Sequence, residues 1–169
     1  FADTTINVNP TTDDLVEIAL LTAKAVRQFN MVPRIAMLSF SNFGSSKDPN
    51  AKKVRDAVRI LHREHPQLIV DGEMQANFAF NTQMLNDNFP FSELGGEGAN
   101  TLIFPNLDAG NVSYKLLQEM GAAEAIGPVL IGVRKPVHIV QLGSSVREIV
   151  NMVTIAVVDA QSRIAEVTV

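Results

Sequence analysis

The chain contains no cysteine in its 169 residues. That excludes disulfides and thiolate metal sites, though it only weakly favours a reducing compartment. A dominant charge of one sign is missing as well, since 14 basic and 18 acidic side chains are mixed along the chain for a net charge of −4. With no basic field to attract a phosphate backbone, no nucleic-acid partner is expected. No apolar run approaches the roughly 20 residues needed to span a bilayer, and no signal peptide precedes the first strand pattern. The expected setting is cytoplasmic, with no membrane partner. Internal repeats and low-complexity segments are also missing.

What is present favours a packed interior. At 46% hydrophobic and 19% charged residues, the chain can bury one sizeable core, as one domain plus a tail. Apolar runs alternate with amphipathic segments. Ala2–Asn7 reads as a strand, and Pro10-Thr-Thr-Asp-Asp then launches a helix whose hydroxyl caps and acidic first turn suit the helix dipole. The apolar face of that helix is Leu15, Ile18, Ala19, Thr22, Ala25, Val26 and Phe29. Arg34–Ser39 is a predicted strand. Asp48–Glu64 is a predicted helix, with Val54, Ala57, Val58 and Leu61 at three- and four-residue spacing and Lys52, Lys53, Arg55, Arg59 and Arg63 on the opposite, solvent-facing side. Further on come a strand at Leu68–Asp71, a helix at Gln75–Leu85, a strand at 101–104 and a helix at 109–120. Val129–Val133 and Val137–Val140 read as two strands around Lys135-Pro136, and Ser144–Arg163 as a closing helix. Such alternation predicts an α/β fold with a mostly parallel sheet covered on both faces.

The most informative stretch is Thr101-Leu-Ile-Phe-Pro-Asn-Leu-Asp-Ala-Gly-Asn111, a buried strand turning abruptly into a helix. Parallel-sheet proteins bind ligands at such turns. Asn106, Asp108 and Asn111 offer side-chain oxygens there, and Gly110 permits close backbone approach. Helix capping alone explains the same residues, so both readings stand at this point. Other motifs carry less. His62-Arg-Glu-His65 lacks a third metal ligand and reads as two solvated histidines at a helix end. Gly95-Gly-Glu-Gly98 precedes a strand instead of joining a strand to a helix, so it fails the dinucleotide fingerprint.

In combination, several segments resemble the phosphotransacetylase (phosphate acetyl/butyryl transferase) family over nearly the whole chain. They are Asn7-Val-Asn-Pro-Thr, Arg34-Ile-Ala-Met-Leu-Ser-Phe-Ser, Leu68-Ile-Val-Asp-Gly-Glu-Met-Gln, Asp108-Ala-Gly-Asn-Val-Ser-Tyr-Lys, Gly121-Ala-Ala-Glu-Ala-Ile-Gly-Pro and Lys135-Pro-Val. Within the family, Ser-Asn-Phe-Gly-Ser at 41–45 and Gly-Glu-Gly-Ala-Asn at 96–100 look most like the carboxyl-terminal phosphotransacetylase-like region of bacterial NADP-dependent malic enzymes. The resemblance implies a three-layer α/β/α, Rossmann-like (isocitrate/isopropylmalate dehydrogenase-like) fold, as the second half of a phosphotransacetylase-type domain. Residues 1–143 would form the subdomain, and 144–169 a helix and tail packing on a missing amino-terminal subdomain.

One departure from the family pattern carries functional weight. Active members have Ser-Arg-Gly shortly after Lys-Pro-Val and an acidic residue a few positions on; here the corresponding residues are Gln141-Leu142-Gly143 and Glu148. Leu142 removes a guanidinium from the place where phosphate and a developing oxyanion need charge. Losing one such group costs roughly a hundred- to a thousandfold in rate. No catalytic residue and no metal ligand is therefore expected in this chain.

The resemblance implies acetyl-CoA as an effector, and position at strand ends makes its expected surface Ser39, Ser41, Asn42 and Ser45 in one loop, Asp108, Gly110 and Asn111 in another, and His138, Gln141 and Ser144 near the third. It further implies allosteric regulation of a malic-enzyme parent that converts malate to pyruvate with NADP and a divalent metal (Mg or Mn), and a homodimer or higher homo-oligomer. The partner would be acetyl-CoA or a related acyl-CoA, and this chain would hold no cofactor of its own. An active phosphate acetyltransferase and a purely structural oligomerisation module are the competing expectations.

Overall fold

The computed structural model describes residues 1–121, 125–140 and 142–167. Three strands, β1 (Arg34–Leu38), β2 (Ile69–Met74) and β3 (Thr101–Ile103), form a parallel sheet in the order β2-β1-β3. β1 pairs from Arg34 opposite Ile69, and from Ile35 opposite Thr101 on its other side. As the central strand, β1 is buried on both faces, and its side chains divide between two cores at the strand period of two. Ile35 and Met37 join Leu15, Ile18, Val54, Val58 and Leu61, whereas Ala36 and Leu38 join Met74, Leu85, Leu94 and Phe104.

Helices cover both faces. α1 (Thr12–Gln28) begins in a capping box, in which Thr11 accepts from the Asp14 amide and the Asp14 carboxylate accepts in return from the Thr11 amide. It buries Leu15, Ile18, Ala19 and Thr22 as the spacing predicts. Ala23 is buried too, while Phe29 just beyond the helix stays exposed. α2 (Pro49–Glu64) is capped by Asp48 and buries Ala51, Val54, Ala57, Val58 and Leu61. The helix expected over 75–85 divides into α3 (Ala76–Phe80) and α4 (Thr82–Asn88), because the Asn81 side-chain Oδ1 accepts from the Met84 amide and caps the chain as a new helix. α5 (Leu107–Glu119) follows β3, and α6 (Val146–Val167) closes the described chain.

Two expectations fail for local reasons. Ala2–Asn7 makes only one parallel bridge, Ala2 to Ile103. The Asp3 carboxylate accepts from the amides of Thr5, Ile6 and Asn7 and from the Asn7 side chain, which coils the segment away from the sheet. Val129–Val133 and Val137–Val140 are irregular. Gly127 and Gly132 adopt positive φ of 134° and 83°, and Pro128 and Pro136 have no amide to give a ladder.

Candidate ligand-binding edge

All three strands are parallel, so their carboxyl ends share one edge of the sheet. The chain leaves β1 for β2 on one side, and β3 lies on the other. This is a topological switch point, with a crevice expected beyond the ends of β1 and β3.

The loop after β1 is fastened to the end of β2. Ser39 and Phe43 donate their amides to the carbonyls of Met74 (2.9 Å) and Glu73 (2.7 Å), and the Gln75 amide donates to the Asn42 side chain (2.8 Å). At the centre lies Glu73, fully buried. Its Oε1 accepts from Ser41 Oγ at 2.8 Å and the Gly44 amide at 2.9 Å, and it pairs with Arg55 of α2 at 3.3 Å. Its Oε2 is buried without a hydrogen-bond partner. Ser41 Oγ also accepts from the Ser46 amide and lies 3.0 Å from Ser45 Oγ, which accepts from the Asn42 amide. Gly44 has to be glycine-like here. Its φ is +92°, and an added Cβ would stand 3.3 Å from the Arg55 guanidinium. Ser39, Ser41, Asn42 and Ser45, the first group expected for the site, thus share one loop. Glu73 and Arg55, which organise them, were not in the predicted site. Glu73 lies beyond the strand predicted over Leu68–Asp71, whereas β2 runs on to Met74 and carries it into the interior, where an acid is almost never found unless paired.

The expected solvent-facing cationic side of α2 divides. Lys52 and Arg59 pair with Asp56, whose carboxyl is held below its ordinary value chiefly by the Lys52 hydrogen bond. Arg55 turns to Glu73. Lys53 donates to the Pro105 carbonyl at 3.0 Å, and its burial lowers the ammonium pKa. The two basic residues Lys53 and Arg55 therefore reach the strand-end loops on either side of the crevice.

At the turn after β3, Asn106 caps α5 by accepting from the Ala109 amide. Asp108 is exposed in the first turn. Gly110 and Asn111 face the amino-terminal segment. A Cβ at Gly110 would stand 2.2 Å from the Asp3 carbonyl, and the Asn111 amide donates to the Thr4 carbonyl at 3.1 Å. Here the capping reading accounts for Asn106, and close packing accounts for Gly110.

The third group is not brought to this edge as a whole. Gln141 lies outside the described residues, as do 122–124 of the glycine-bearing motif at 121–128. Leu142 is wholly exposed. Ser144 and Glu148 line a shallow depression with Ile139, Val140 and Met152. The Glu148 carboxylate accepts from the Ser145 amide (2.7 Å) and hydroxyl (2.9 Å), and these bonds lower its pKa while capping α6. His138 lines a cavity with Leu21, Lys24 and Gln28 from the last turns of α1. Those turns lead directly into the first residue of β1, which puts His138 toward the amino edge of the sheet, opposite Ser41. As for metals, His62 Nε2 lies 2.7 Å from the Val70 carbonyl, and among the described residues no three His, Cys, Asp or Glu side chains group to hold an ion. No described helix is long and apolar enough to cross a membrane.

Comparison with known proteins adds to this geometry. The family model described as phosphate acetyl/butaryl transferase matches residues 1–157. An NADP-dependent malic enzyme of Escherichia coli is 45% identical over 163 residues, which cover 96% of this chain and 21% of that protein. A phosphate acetyltransferase of Clostridium acetobutylicum is 44% identical over 162 residues, covering 95% of this chain and 48% of that one. The crystal structure of a phosphotransacetylase from Streptococcus pyogenes superposes with a TM-score of 0.90 at 42% identity, over 96% of this chain and 49% of its own. The chain thus spans about a fifth to about half of the length of these relatives.

Proposed function

The chain belongs to the phosphate acetyl/butaryl transferase family, and from that membership we propose that it serves as a non-catalytic, acyl-CoA-responsive domain within an NADP-dependent malic enzyme. One observation carries the reading. Where active relatives in the resemblance above present a guanidinium and a nearby acid, this chain presents Leu142, fully exposed and uncharged, and Glu148, whose carboxylate is committed to the Ser145 cap. Acyl transfer to phosphate needs fixed positive charge on the phosphate and on the developing oxyanion, and an apolar side chain supplies none. The strand-end loop with Ser39, Asn42 and Ser45 stays ordered through the buried Glu73, so a ligand-binding edge persists where the chemistry is missing. Acetyl-CoA is the proposed effector, and it would act on malate oxidation carried out elsewhere in the polypeptide.

A working phosphate acetyltransferase is the second reading, favoured by an identity to such an enzyme, 44%, within one percentage point of the 45% to a malic enzyme. One experiment separates them. The intact polypeptide is titrated calorimetrically with acetyl-CoA, with coenzyme A for comparison, while acetyl phosphate formation and malate-dependent NADP reduction are assayed alongside. Binding that alters NADP reduction without acetyl phosphate turnover is expected. Turnover at an enzyme-like rate overturns the regulatory reading in favour of the transferase, and neither binding nor turnover leaves an oligomerisation module.

A further inference from the structure

We propose that Lys53 is a site of covalent acylation, its ε-amine taking the acyl group of an acyl thioester at the crevice beyond β1 and β3. The acyl-CoA reading above supplies the donor, and the nucleophile is built from this chain alone. Lys53 lies near the start of α2, half-buried, and its Nζ donates to the Pro105 carbonyl at 3.0 Å. Pro105 follows the end of β3, so the amine is tethered at the edge of the crevice. Its partner sets it apart from the neighbouring lysine. Lys52 pairs with the Asp56 carboxylate, whereas among the described residues the polar partner of the Lys53 amine is a neutral carbonyl.

A carbonyl accepts an N–H from a neutral amine as well as from an ammonium. Losing a proton therefore keeps the contact with Pro105 and leaves a lone pair directed away from it. Partial burial lowers the ammonium pKa, the direction that frees a nucleophile. In the step, the neutral Nζ attacks the thioester carbonyl carbon, a C–N bond forms and the C–S bond breaks. The proton shed by Nζ passes through water to the departing thiolate. The products are an amide and a free thiol, with nothing oxidised or reduced. Because the amide is uncharged, acylation removes a cation from the edge that an anionic ligand would approach.

Two donors, acetyl-CoA and the small thioester S-acetyl-N-acetylcysteamine, are incubated with the intact polypeptide, and acetylation of each lysine is followed over time by peptide mass spectrometry. With the small thioester, Lys53 is expected to react roughly threefold or more faster than Lys52 and the exposed Lys47, since the gain in free amine outweighs the fall in its nucleophilicity. Its rate should level off at a lower pH than that of a lysine in a short peptide. In urea, where the fold is lost, the preference is expected to vanish. Equal rates at the three lysines, a preference that persists in urea, or a pH profile matching the peptide's overturns the proposal. With acetyl-CoA the preference is expected to grow to about tenfold or more and to be suppressed by coenzyme A, because a bound donor raises its own local concentration. If that growth alone is missing, Lys53 remains the acylation site and the acyl-CoA reading falls.

Discussion

Ser41 and Glu73 stand 32 residues apart in sequence, on the loop after β1 and at the end of β2, and share a buried 2.8 Å hydrogen bond. The same carboxylate oxygen gathers the Gly44 amide and the Arg55 guanidinium, so one anion sets the path of the whole loop. Replacing Glu73 by Ala removes the carboxylate paired with Arg55 and the buried acceptor of the Ser41 hydroxyl. The expected cost is about 3–5 kcal/mol in urea denaturation, against about 1–2 for Glu73→Gln, which keeps an acceptor in place. Equal losses for the two variants would assign the stability to packing and not to charge.

Gly110→Ala tests the docking of the amino-terminal segment. The new methyl would stand 2.2 Å from the Asp3 carbonyl, and the crowding is with backbone that rotamer changes cannot relieve. A loss of about 1–3 kcal/mol is expected, with faster hydrogen exchange at the Ala2 amide, which donates to Leu102. Exchange unchanged at Ala2 would mean the segment is held by other contacts.

Asp3 makes the same segment acid-sensitive. Partial burial opposes its charge, but hydrogen bonds from Thr5, Asn7 and Ile6 outweigh it and hold the carboxyl below its ordinary value of 3.8. A lowered native value means that the stabilisation is fully present above pH 3.8 and is lost as pH falls through the native value. Asp3→Asn removes that dependence. Fluorine resonances from 4-fluorophenylalanine at Phe1, which stacks edge-on against Phe104, should shift with acid in the wild type and stay level in the variant.

Leu142→Arg, alone and with Gln141→Ser, tests the loss of chemistry directly. The side chain at 142 is wholly exposed, so the substitution is expected to change stability by no more than about 0.5 kcal/mol. Acetyl phosphate formation by the double variant should rise roughly a hundredfold over the wild type. No rise would place the defect elsewhere, in residues beyond this chain or in the commitment of Glu148 to its helix cap.

The parallel fold was legible wherever a periodic apolar pattern met a clear stop. α2 is one case, where Asp48-Pro49 starts the helix and Val54, Ala57, Val58 and Leu61 mark its buried face. Val129–Val133 and Val137–Val140 show the limit of that logic. Their β-branched content reads as strand, but glycines at positive φ and prolines without amides deny them a ladder. The first loop of the candidate edge was readable from its serines and Asn42. Glu73 and Arg55 were not, because a buried ion pair is made across two elements and no local pattern announces it. His138 falls in the strand pattern at Val137–Val140, which places it with Gln141 and Ser144 at a strand end, whereas that segment forms no strand and His138 packs beside the last turns of α1, toward the amino edge of the sheet.

The bridge from Ala2 to Ile103 also sets an order of events on the ribosome. At synthesis rates of about 5–20 residues per second, roughly 5–20 seconds pass between the emergence of the two partners. β1 and β2 can pair within that interval. Over the same time Phe1 waits for Phe104, its ring partner at 5.3 Å, so the segment around Phe1 docks only after β1 and β2 have had time to pair.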